Sequence, residues 1–217
     1  MPCNCCEITD GAFSEAEARS DLKSYRRRGP AEHTKLILNA IRSLHLKNAE
    51  LLDIGGGIGA LHHELLDDVA DKATHVDASS AYLKEAKDET ARRGHHERVN
   101  FIYADFTSVA SELPQADIVT LDRVVCCYPD FHRLLKAAAE HSRRALAFTY
   151  PRETWYLRFG LRVINFLQRL RKDPFRVFLH PVAEMDSLLK KEGFERITLR
   201  RLFVWEMALY QKSGGVV

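Results

Sequence analysis

The sequence predicts an α/β protein built on a doubly wound, mostly parallel sheet, and three observations predict it. Short apolar runs alternate with stretches of helical period from about residue 31 to residue 211, as in repeated strand–helix units. The run Leu51-Leu52-Asp53-Ile54 leads directly into Gly55-Gly56-Gly57-Ile58-Gly59, with a helix opening at about Ala60. Such a strand–glycine loop–helix unit lets backbone N–H groups approach a small ligand. Third, acids stand at three successive strand ends, Asp53, Asp77 and Asp105. The ends of parallel strands share one crevice at the edge of the sheet.

Bulk properties narrow the field. At 217 residues the chain can bury the core of one α/β domain, expected to span residues 1–217. Lys+Arg of 32 against Asp+Glu of 30 provides no basic field, so no nucleic-acid partner is expected. Five cysteines, an odd number, suggest no disulfide framework, and the first residues lack a secretory apolar stretch; the expected compartment is the reduced cytoplasm. Cys3, Cys5 and Cys6 have no ordinary zinc spacing and are read as a thiol-bearing tail, so no metal is expected.

Ser14 and Glu17 form a capping box, so a first helix runs to about Arg28, where Gly29-Pro30 stops it. Its end, Tyr25-Arg26-Arg27-Arg28, is a cationic helix terminus or, on a sharper reading, a lid presenting Tyr25 or Arg28 to a substrate. A second helix, about Ala31–His45, repeats Leu36, Ala40 and Leu44 along an apolar stripe. After the glycine loop, Leu61, Leu65, Leu66 and Val69 form the buried side of a crossover helix, with His62 and His63 expected at the surface or a pocket rim. Residues 73–77 make strand two, whose terminal Asp77, followed by Ala78, can accept both hydroxyls of a ribose or cap the next helix.

Which ligand the loop holds turns on charge. Gly55-x-Gly57-x-x-Ala60 satisfies the relaxed dinucleotide pattern, but Asp53 would repel a pyrophosphate and pair with an ammonium. With Asp53, Gly55, Gly57 and Gly59 in this order, the chain resembles the class I S-adenosylmethionine-dependent methyltransferases, over roughly residues 31–211. The resemblance implies a Rossmann-like seven-stranded sheet with an antiparallel C-terminal strand, S-adenosylmethionine as cofactor and S-adenosylhomocysteine as product. It also implies that Asp105 receives the adenine amino group. Phe106 then packs on the purine or, equally, in the core.

Residues 117–121 make strand four, and Asp122-Arg123 through Tyr128-Pro129 leave it. By resemblance this segment lines cofactor and methyl-transfer site alike, which makes Asp122, Arg123 and Tyr128 candidates. Asp122 and Tyr128 are also the candidates for proton handling, together with an unspecified pocket histidine. The segment is not the Asn-Pro-Pro-Tyr type used on amino groups of DNA and protein. Cys126 and Cys127 are read as small buried hydrophobes.

A helix over 131–143 and a strand over 144–150 follow. Residues 151–181 then form a helical cap insertion. Arg158, Arg162, Asn165, Arg169 and Lys172 lie on one stripe, opposite a wide apolar face that includes Trp155, a further substrate candidate. Two readings stand: a cap packed over the pocket, or a helix in a membrane interface. Central arginines exclude a transmembrane span. A helix over 182–193 and two strands over 194–200 and 203–211 close the chain. Their short connection makes them antiparallel. The expected function is methyl transfer to a small acceptor, lipophilic or anionic. The alternatives are an NAD-binding oxidoreductase and a non-catalytic adenosyl-ligand module.

Overall fold

The computed structural model describes residues 13–171 and 174–214. The N-terminal cysteines and Lys172 lie outside the described residues. Helices α1 (Glu15–Arg28) and α2 (Glu32–Arg42) precede β1 (Ala49–Ile54), α3 (Ala60–Leu66), β2 (Ala70–Asp77), α4 (Ser80–Arg93) and β3 (Val99–Tyr103). Then come the single turn α5 (Phe106–Val109), β4 (Ala116–Leu121), α6 (Phe131–His141), β5 (Ser142–Pro151), α7 (Trp155–Leu170), α8 (Val182–Lys191), β6 (Phe194–Arg201) and β7 (Trp205–Lys212).

The sheet runs β3-β2-β1-β4-β5-β7-β6, and β7 alone runs opposite to the other six strands. The order reverses beside β1, where β1 pairs with β2 on one side and β4 on the other. Loops leaving these two strands diverge to opposite faces of the sheet and open a crevice between them. An apolar layer fills each face. Ile37, Leu38, Ile41, Leu61 and Leu65 pack on one, and Phe131, Leu134, Leu135, Met185 and Leu189 on the other.

Local chemistry accounts for the helix starts. Ser14 and Glu17 complete the expected capping box, each binding the other's backbone N–H. Ser79, not Asp77, caps α4. The stripe expected on α2 is displaced: Ile37, Leu38 and Ile41 are buried with Ala40, while Leu36 and Leu44 are only partly covered. The helix lies flat on β5 and β7, so its buried sector is broad and takes in the β-branched residues.

The cap reading for residues 151–181 needs correction in part. α7 contains no buried residue, and Trp155 is 81% exposed. The chain after it does fold back: Asn165 donates to the Val177 carbonyl (2.8 Å) and accepts the Val177 N–H (3.0 Å). The Phe178 N–H then donates to the Cys126 carbonyl (2.6 Å), tying this return segment to the turn that follows β4. No helix among the described residues is long and apolar enough to cross a membrane.

Candidate functional site

The site begins with a row of polar side chains beneath the glycine loop. In the parallel register, Asp53 on β1 stands beside His75 on β2 and Thr120 on β4, so all three project to one face. Thr120 donates its hydroxyl to Asp53 Oδ1 (2.8 Å). His62, from α3 above that face, brings Nδ1 within 3.5 Å of Asp53 Oδ2 and 3.1 Å of His75 Nδ1. Asp53, His62, His63 and His75 are completely buried, so the surface or rim position expected for His62 and His63 is corrected. Burial pushes the Asp53 carboxyl up to about 6 and holds both His62 and His75 down at about 3.

This layer explains the glycines. Gly55 takes a φ of +61°, open to a residue without Cβ. A Cβ on Gly56 would lie 2.6 Å from the His75 ring and 2.7 Å from Asp53 Oδ2. The backbone therefore rests directly on the polar row and turns its other side to a cavity.

That cavity, about 410 Å³, is lined by the glycine loop, the end of α1, the start of α2, and the segment after β4. Of the residues singled out in the sequence, Tyr25, Arg28, Gly55, Gly57, Asp122 and Arg123 line it. The others stand around it. Asp53 lies behind the loop, so its carboxylate does not face the cavity directly. Asp77 accepts the Gly57 N–H through Oδ2 and the Ser79 N–H through Oδ1 (both 2.8 Å), which ties the loop to the end of β2, with Ala78 between. Burial lifts its carboxyl to about 6. Gly59 carries the backbone into α3 at a φ of +83°.

Asp105 caps α5 by accepting the Thr107 N–H (3.1 Å) and receives the Tyr128 hydroxyl (3.1 Å), so Tyr128 belongs with Asp105 rather than with Asp122. Phe106 is buried in the core cluster. Trp155 does not line this cavity and borders a separate depression with Phe159 and Arg162. The Tyr25 hydroxyl is committed to Glu64 (2.9 Å). Cys126 is buried and Cys127 partly so, their sulfurs 3.7 Å apart.

The cavity's most organised feature has no signal in the local sequence. His33, in the first turn of α2, places Nδ1 at 2.9 and 3.0 Å from the two oxygens of Asp122. The same carboxylate accepts the hydroxyls of Thr34 and Thr149, each at 2.6 Å. Burial alone would raise the pKa of Asp122. The His33 hydrogen bond and charge, with the two hydroxyls, outweigh it and hold the group below the ordinary carboxylate value. Arg123 follows at a φ of +62°, its N–H bound to Thr149 (2.8 Å). Such left-handed backbone in a large residue concentrates at working sites.

Residues 51–145 match a family described as a methyltransferase domain, and they take in most of β1, all of β2 to β4, the glycine loop and Asp122. That stretch is similar to a methyltransferase domain, and the chain has the fold shared by the solved structures below. Comparison with curated protein sequences returns no match. Solved structures share the fold at low identity. Magnesium protoporphyrin IX methyltransferase from Synechocystis PCC 6803, solved with bound S-adenosylhomocysteine, superposes with a TM-score of 0.71 at 18% identity, covering 97% of this chain and 100% of that one. An O-methyltransferase family 2 protein from Planctomyces limnophilus, solved with apigenin, gives 0.65 at 18% identity over 92% of this chain and 62% of that one. The cyclase SpnF gives 0.63 at 17% identity over 84% of this chain and 81% of that one. Around this cavity the residues reached through pattern are those of the loop and strand ends. His33 and Thr34, far in sequence from Asp122 and Thr149, meet them only through the packing of α2 on the sheet.

Proposed function

We propose that the chain is an S-adenosylmethionine-dependent methyltransferase acting on a small acceptor molecule in the cytoplasm. The observation that carries this is the cavity itself, walled by the glycine loop of a methyltransferase domain and floored by the His33–Asp122 pair. The residues fit the cofactor. Gly56 leaves no room for a Cβ beneath it, so the loop offers bare backbone to a ligand above. In this reading Asp77 and Ala78 hold the ribose, Asp105 and Phe106 the adenine, and Asp122 and Arg123, which line the cavity, border the reacting end.

When bound, S-adenosylmethionine supplies an electrophilic methyl group on a sulfonium, leaving S-adenosylhomocysteine. The protein's part is positioning and exclusion of water. α1 and the turn into α2 close one side of the cavity, with Arg28 and Arg123 adding positive charge at its wall. That charge suits an acceptor that is anionic or becomes so.

A peripheral membrane contact belongs to the same reading. At 100° per residue, the side of α7 turned from the domain carries Trp155, Phe166, Phe159, Leu170 and Val163 in one sector, flanked by Arg158, Arg169 and Arg162. Trp155, Phe159, Phe166 and Leu170 are each more than half exposed. An apolar sector beside a basic edge suits an anionic bilayer surface and a lipophilic acceptor reached from it. Transfer of label from S-adenosylmethionine to candidate acceptors, read with S-adenosylhomocysteine formation, tests the activity. Absence of S-adenosylhomocysteine binding would remove it.

A further inference from the structure

We propose that His33, positioned by Asp122, is a general base, and that the acceptor class is therefore a hydroxyl compound such as a phenol or enol rather than a carboxylate. The inference rests on the proposed methyl transfer and deepens it.

The geometry assigns the proton. Asp122 receives three hydrogen bonds, from His33 Nδ1 and the hydroxyls of Thr34 and Thr149. It is the acceptor in all of them, so it remains a carboxylate and holds the His33 tautomer with the proton on Nδ1. Nε2 then carries the lone pair. Among the described residues each hydrogen bond of His33 uses Nδ1 and none uses Nε2, and the residue lines the cavity beside the glycine loop. The side chain is 14% exposed, enough to be reached from the cavity and too little to turn freely. A carboxylate holding an imidazole by one nitrogen while the other faces a ligand space is the arrangement that proton abstraction requires.

That arrangement discriminates between acceptors. A carboxylic acid, with a pKa near 4, has lost its proton well below neutral pH and needs no base. A phenol, near 10, keeps it and is a poor nucleophile until it goes. In the proposed step His33 Nε2 takes the hydroxyl proton while the oxygen's electron pair forms the bond to the methyl carbon, and the C–S bonding pair returns to sulfur. The products are a methyl ether, neutral S-adenosylhomocysteine and an imidazolium paired with Asp122. Arg28 and Arg123 at the cavity wall favour the oxygen as its charge develops.

The test uses the full chain and two variants. In His33→Asn the amide nitrogen replaces Nδ1 and keeps a donor on Asp122, so the fold is retained while the base is lost. His33→Gln removes the pair as a control. Calorimetry with S-adenosylhomocysteine on the unmodified protein comes first, and failure there counts against the methyltransferase reading rather than against the base. The S-adenosylhomocysteine complex is then titrated with 4-nitrophenol, whose absorbance reports its ionisation. The bound probe should be ionised at a pH where the free probe is not, and His33→Asn should abolish this. With labelled S-adenosylmethionine, simple phenols and enols should accept the methyl group and benzoate should not. His33→Asn should lower turnover about 100-fold or more, with partial recovery as rising pH ionises the phenol unaided. Methylation of benzoate but not of phenols overturns the proposal. So does a His33→Asn enzyme with unchanged rate and pH profile, or a 4-nitrophenol spectrum identical in the two proteins.

Discussion

Acidification from pH 6.5 to 5 should destabilise the fold, and the histidines around Asp53 should be the cause. Burial holds His62 and His75 at about 3 and His63 at about 2, against about 6.5 in an unfolded chain. Each folded value lies below its unfolded one, so the unfolded chain takes the proton first. Stability from the neutral rings is present above about pH 6.5 and lost as pH falls. His95 and His180, also lowered by burial, act in the same direction. Asp53 and Asp77 oppose it. Burial raises both to about 6, above the unfolded value of about 3.9, so their contribution is present at low pH and lost as pH rises through 6.

At pH 5 the unfolded chain then holds about three protons on His62, His63 and His75, against about two on the folded aspartates. The net difference of about one from these five groups gives a slope of at least ~1.4 kcal/mol per pH unit, to which His95 and His180 add, stability rising with pH. His62→Gln removes one proton from the unfolded side and should lower the slope by ~1.4 kcal/mol per pH unit, whatever its own cost to stability. Urea unfolding of both proteins in steps from pH 7 to pH 5 reads the two slopes. A wild type that gains stability on acidification refutes the reasoning, as does an equal slope in His62→Gln.

Gly56→Ala should cost about 1–3 kcal/mol, because the new methyl overlaps the His75 ring and Asp53, and thermal melting should show it. An unchanged melting temperature would mean that the loop does not rest on the polar row. Charge reversal at Arg158, Arg162 and Arg169 should weaken sedimentation with anionic vesicles about 100-fold, at ~1 kcal/mol for each basic residue near the surface. The effect should fade as salt rises. If the unmodified protein does not sediment with such vesicles at any salt, α7 does not dock on membranes.

The architecture was legible because each part of it is written locally. Three glycines after an apolar run, acids at three successive strand ends, and a closing pair of strands with a short connection all carry their meaning within a few residues. The core of the site was not. His33 and Asp122 are 89 positions apart, and nothing in Glu32-His33-Thr34 distinguishes an imidazole bound for a cavity from a polar first turn. His62 and His63 misled for a related reason. On a short helix they look like a polar face, but the loop and the β1–β2–β4 row enclose them. Trp155 shows the converse limit. Helical spacing identifies an apolar sector, but packing decides whether the domain or something outside it covers that sector.

The most direct test of the central claim is calorimetry of the purified chain with S-adenosylhomocysteine and, separately, with NAD. A cavity built from bare glycine backbone over Asp53, with Asp77 at its edge, predicts saturable binding of S-adenosylhomocysteine at least 100-fold tighter than any binding of NAD. NAD binding as tight or tighter, with no heat from S-adenosylhomocysteine, would contradict the account.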